Sequence, residues 1–244
     1  SRPGSIERLY ADLAQVSSTE MTSADGLEFM RQAFSQARHL GDREIEFDTG
    51  RQLMMWLNWP GVAEERVQVA EALLSRPRDG VKVRTLARVL WQASFALLGR
   101  GRRTESETVW REQESLAERS QEASVTMYPL FGRCQRALLD GQIEEAAAIA
   151  ANFTAMGEQL GAAAFGHINS SWLALRPLLL LGRGEEVLEQ RGVPEDGPVK
   201  PIRQALILAH AGRPSEAARH IKAIDWAARW ETTGRGNGLA FDVE

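Results

Sequence analysis

The chain has 244 residues, 43% of them hydrophobic and 25% charged, with a formal charge of -4 and a pI near 5.7. That balance excludes a disordered polar chain and a broad electrostatic nucleic-acid footprint, which needs a basic stripe to displace counterions from phosphates. It leaves a chain able to bury a sizeable core, with no run of about 18 apolar residues to span a membrane.

Read from the amino end, Ile6, Leu9, Leu13 and Val16, followed by Leu27, Met30, Phe34 and Ala37, mark an opening helical pair over 5–40. From there a signature, Gly-x-x-x-Glu, recurs at Gly61/Glu65, Gly101/Glu105, Gly141/Glu145, Gly182/Glu186 and Gly212/Glu216, in steps of 40, 40, 41 and 30 residues. A second series of breaks, at Gly41, Gly80, Ser120 and Gly161, falls midway between them. Two interleaved series mean two helices per repeat. The spacing predicts hairpins of 42–59 with 62–79, 81–98 with 102–119, 122–140 with 142–160 and 162–181 with 184–191. Gly supplies the left-handed residue that ends a helix, and Glu in the next first turn favours the positive end of the helix dipole. The run Gly192–Pro198 reads as a loop, 199–230 as a smaller capping hairpin, and the glycine-rich 231–244 as a tail or linker.

Offsets counted back from each signature Gly make the first helices comparable. Ten before it stand Arg51, Trp91, Phe131, Trp172 and Ile202; seven before, Met54, Ser94, Cys134, Leu175 and Ala205; four before, Leu57, Leu97, Ala137, Leu178 and Leu208. Together with offsets 14, 11 and 3 they form one helical stripe, as expected of a face turned to a core. A helical pair cannot bury such a face alone, so copies stack. The expected fold is an all-α, right-handed superhelical solenoid of antiparallel helical hairpins over 1–230, five to six in number, with the last degenerate.

The hairpins, with phrases such as Leu138-Leu139-Asp140-Gly141-Gln142-Ile143-Glu144-Glu145-Ala146, resemble the tetratricopeptide repeat family. Units of about 40 residues in place of 34 are similar to the variant arrays at the carboxyl end of bacterial MalT-type and LuxR-type regulators and some class III adenylyl cyclases. The resemblance implies a non-catalytic interaction or scaffold module, a fragment of a larger multidomain protein, whose first helices line a concave groove. It implies a protein or peptide partner, or adjacent domains, and as an alternative a small-molecule effector. A cytoplasmic location fits the single cysteine, which excludes an internal disulfide framework, and the absence of a signal-peptide pattern.

The candidate binding face lies at offsets 13, 9 and 6. It carries Asp48 and Gln52, Arg88 and Gln92, Tyr128 and Gln135, and Asn169 and Arg176, residue types suited to holding an extended peptide or polar effector by directed hydrogen bonds. The Trp91, Phe131, Trp172 series reads as core packing rather than a ligand platform. His39, His167, His210 and His220 lack the spacing of a zinc helix, so no metal is expected. Cys134, at a core offset, reads as an inert buried thiol. Glu64-Glu65, Glu144-Glu145 and Glu185-Glu186 read as helix starts, and Gly99-x-Gly101, Gly182-x-Gly184 and Gly234-x-Gly236 as turns rather than phosphate loops. No cofactor and no catalytic residue is expected; an all-α enzyme is the third and weakest alternative. Trp226 and Trp230, one turn apart, cover the last hairpin or meet another protomer.

Overall fold

The computed structural model describes residues 6–10, 13, 23–58, 60–189 and 200–223, and among them every regular element is helical. Helices follow in the order α1 Ser23–Leu40, α2 Arg43–Trp56, a 3₁₀ turn Pro60–Val62, α3 Ala63–Leu74, α4 Val83–Leu98 and α5 Arg103–Glu118. They continue as α6 Ala123–Met127, α7 Pro129–Leu139, α8 Ile143–Gln159, α9 Ala163–Leu180, α10 Glu185–Glu189, α11 Lys200–His210 and α12 Pro214–Lys222. No helix among the described residues is long and apolar enough to cross a membrane. The loop 192–198, the tail and the Trp226/Trp230 patch lie outside the described residues.

The turns are built as the repeat spacing implies. At Gly101, Gly141, Gly161, Gly182 and Gly212 the backbone φ is 70° to 75°, a conformation that L side chains rarely adopt. At each, the next N–H bonds a carbonyl five residues back: Arg102 to Leu97, Gln142 to Ala137, Ala162 to Gly157, Arg183 to Leu178 and Arg213 to Leu208, at 2.7–3.1 Å. That is the Schellman arrangement, which satisfies carbonyls orphaned at a helix end.

One expected turn and two expected helices depart from the pattern, each at a proline. Gly61 lies in the 3₁₀ turn that Pro60 opens and has no left-handed φ, so the first signature turn is made differently. Helix α3 stops at Leu74 rather than running to 79, because Pro77 disfavours helical backbone at the residue before it. The helix expected over 122–140 is broken at Tyr128 into α6 and α7, since Pro129 has no N–H to give the preceding turn. Pro177, by contrast, sits inside an unbroken α9. The Leu173 carbonyl that it cannot serve lies 3.9 Å from the Cys134 thiol.

The described residues form two compact units, one up to Val109 and one from Trp110. In the first, α2 packs on α1, α3 and α4, and α3 packs on α4. Phe47, Leu53, Leu73 and Leu90 fill this core. Glu44 on α2 crosses to the start of α4, where Oε2 accepts the Lys82 N–H at 2.8 Å and Oε1 accepts the Thr85 hydroxyl at 2.8 Å. No side chain within α4 itself caps that end, so a remote carboxylate serves donors that the helix leaves open.

In the second unit α8 packs on α7 and α9, α10 bridges α9 and α11, and α11 packs on α12. Phe131, Phe153, Phe165 and Tyr128 form its aromatic centre, with ring centroids 5.2–6.3 Å apart. Helices α8 and α9 touch backbone to backbone: a Cβ on Gly157 would lie 2.8 Å from Gly166 Cα. The stripe expected to face the core does so at offsets seven and four but not at every offset: Ile168, at offset fourteen, is 51% exposed. At offset seven Met54, Ser94, Cys134, Leu175 and Ala205 are at most 4% exposed, and the offset-four residues are buried as well. At offset ten Phe131 is buried, whereas Trp91 and Trp172 are only half-buried and stand at the margin of their cores.

Candidate functional site

The polar face expected to bind a partner divides sharply once the helices are packed. In the first unit Gln52 donates to Asp48 Oδ2 at 3.0 Å, and Arg51 pairs with Asp48 Oδ1 at 2.9 Å, so that carboxylate is held within α2. Arg88 on α4 is half-buried and makes no hydrogen bond or ion pair among the described residues. Gln92, one turn later, is only 9% exposed. Its Oε1 accepts from Arg66 Nη2 at 2.9 Å, so it belongs to an internal cluster and not to an open groove.

That cluster was not legible in the sequence. Arg66 projects from the first turns of α3; its Nη1 donates to Asn58 Oδ1, just beyond α2, and its Nη2 to Gln92 on α4. Asn58 and Gln92 are both buried. Part of Arg66 remains solvent-accessible, but its Nε is sealed from solvent and has no hydrogen-bond acceptor. Desolvation pushes the guanidinium down to about 10, with no carboxylate opposing the shift. A largely desolvated cation whose partners among the described residues are neutral amides is costly, because its loss of hydration is not offset by an opposite charge.

In the second unit Tyr128 is 4% exposed and packs edge-on to Phe165, so it is a core residue and not a groove residue. The break before Pro129 ends α6 there and leaves Tyr128 at the junction, where its ring turns inward. Asn169 donates to the Phe165 carbonyl of its own helix at 2.8 Å. Gln135 on α7 is half-buried with no partner among the described residues, and Arg176 on α9 is half-buried and engaged. Arg203 is 3% exposed, donates to the Ser171 carbonyl at 2.8 Å and lies 5.0 Å from the Trp172 ring.

The signature glutamates acquire a role beyond the helix dipole. Glu105, Glu186 and Glu216 each chelate the arginine three residues earlier: Arg102, Arg183 and Arg213 offer Nε and Nη2 to the two carboxylate oxygens at 2.5–2.8 Å. Arg102 and Arg213 also reach back to Glu71 on α3 and Glu185 on α10, at 2.6 and 3.1 Å. Glu65 instead receives Arg31 of α1 at 2.6 and 2.7 Å. The signal was present as Gly-Arg-x-x-Glu at three of the five signatures. These hydrogen bonds hold Glu105, Glu186 and Glu216 below the usual carboxylate range.

Cys134 is buried, and desolvation pushes its thiol up to about 12, which leaves almost no thiolate near neutrality. The described residues hold no cluster of His, Cys, Asp and Glu able to bind a metal ion. The glutamate pairs lie in the first turns of α3, α8 and α10.

Fold and site together define an all-α protein with polar helix faces. Compared with family models, curated proteins and solved structures, the chain finds no match.

Proposed function

We propose that the chain is a right-handed solenoid of tetratricopeptide-like hairpins, serving as a non-catalytic protein-interaction module of a bacterial signalling or transcription regulator. The equivalent Schellman turns and the buried stripe at fixed offsets support stacked, equivalent helical pairs. The observation that carries binding is that Arg88 stays half-buried on α4 with no internal partner among the described residues, and, taken by itself in the other unit, Gln135 does so on α7. Polar groups fixed on rigid helices lose little entropy on docking, so a peptide or domain meets a preorganised face.

The test is affinity capture with the full chain and with a variant carrying Arg88→Ala, Gln52→Ala and Gln135→Ala. These positions are not core, so the far-UV circular dichroism stays unchanged. A partner retained by the full chain is released by the variant and kept by an Arg111→Ala control on the exposed face of α5. Retention by the triple variant would sink the reading.

The second reading is a small-molecule effector, and the internal Arg66 cluster of the first unit favours it. Native mass spectrometry separates the two: a reproducible added mass per chain supports the effector, and a bare chain supports protein docking.

A further inference from the structure

Arg66 differs from the other chelating arginines of this chain in one respect. In Arg31, Arg102, Arg183 and Arg213 the edge formed by Nε and Nη2 meets both oxygens of a glutamate. In Arg66 the same edge meets a single amide oxygen, from Gln92, and the solvent-sealed Nε–H has no hydrogen-bond acceptor among the described residues. The four complete pairs are at least partly exposed, where water already screens the charge. The incomplete one lies among the buried Asn58 and Gln92, where an uncompensated charge matters most.

We propose that the Arg66–Asn58–Gln92 cluster is a binding site for a planar carboxylate, which takes the Nε/Nη2 edge of Arg66 in place of the Gln92 amide oxygen. A flat two-oxygen acceptor matches the two parallel N–H groups of that edge, and its single negative charge balances the single guanidinium. Asn58 holds the opposite side of the head through Nη1, so the edge is aimed before the ligand arrives. Gln92 sits one helical turn after Arg88 on α4, so displacing the Gln92 amide opens the edge beside the helix face that carries a second cation with no internal partner among the described residues. The site deepens the effector and partner reading and rests on it for the source of the carboxylate, either a free small acid or a glutamate or aspartate of a docked peptide.

The test uses the full chain labelled with ¹⁵N, following the arginine Nε–H resonances while adding sodium glutarate, an acetylated and amidated tetraglutamate, or sodium chloride at matched ionic strength. The Arg66 signal is assigned by its loss in Arg66→Lys. In the unliganded chain it lies upfield of its carboxylate-paired counterparts, and a carboxylate moves it downfield in a saturable way while chloride does not. Saturation by glutarate identifies a free acid as the source; saturation by the peptide alone identifies an acidic side chain of a partner. Gln92→Glu supplies the missing carboxylate from within, so its Arg66 signal starts downfield, its melting temperature rises, and added carboxylate binds more than about tenfold weaker. The absence of a saturable shift with both carboxylates on the unaltered chain overturns the site. That result leaves the capture experiment with Arg88, Gln52 and Gln135 standing on its own.

Discussion

Replacing Gly157 by Ala sets two opposed effects against each other. Within a helix, Ala in place of Gly is favoured by about 0.5–1 kcal/mol, because the glycine loses more backbone freedom on folding. Against this, the new Cβ would lie 2.8 Å from Gly166 Cα, 3.1 Å from the Ala162 carbonyl oxygen and 3.2 Å from Gly166 N. All three are backbone atoms, so no side chain can rotate aside, and α8 and α9 must separate. Overpacking of that kind costs about 1–3 kcal/mol. The net expectation is a loss of about 1 kcal/mol, within a range of about 0–2.5 kcal/mol, read as a fall in melting temperature of about 2–4 °C. Urea unfolding followed by far-UV circular dichroism gives the same loss in the midpoint at unchanged slope. Gly99→Ala is the control: its φ is -62° and its nearest contact is 3.4 Å away, so propensity alone acts and the change is neutral or stabilising. If Gly157→Ala stabilises as Gly99→Ala does, the close approach of the two helices is wrong. The double variant Gly157→Ala/Gly166→Ala is expected to lose less than the sum of the singles, because one separation of the helices accommodates both methyl groups.

Two further outcomes follow from the titratable groups. Cys134, buried and raised to about 12, is expected to react with an aromatic disulfide reagent at pH 8 only as fast as the protein opens, and immediately in denaturant; rapid reaction of the folded chain would contradict its burial. Glu105, Glu186 and Glu216 have folded values below the reference of 4.5, so their contribution is fully present above 4.5 and is lost as the pH falls through the lower folded values. Urea midpoints are therefore expected to drop below pH 4.5, and the triple Gln variant to show a shallower drop. Equal acid sensitivity in both chains would assign the effect to other carboxylates.

What could be read before folding was governed by neighbours in sequence. A glycine with positive φ, the donors it aligns and the arginine and glutamate that follow lie within a few residues, and a buried stripe at fixed offsets needs only helical periodicity. Hence Gly101, Gly141, Gly182 and Gly212 end their helices as expected, and Cys134 and its equivalents are buried. The prolines Pro60, Pro77 and Pro129 were local signals too, and the repeat spacing overrode them in the reading although not in the backbone. Tertiary structure alone decided the rest. Tyr128, Gln92, Gln52 and Arg88 look alike as polar positions on an outward face, but whether such a side chain is spent internally depends on which distant group reaches it. Phe165 lies on another helix from Tyr128, and Arg66 is 26 residues from Gln92. Periodicity shows that a face is polar; only packing shows which of its hydrogen-bonding groups are already satisfied, and that residue of unsatisfied donors is where a ligand gains binding energy.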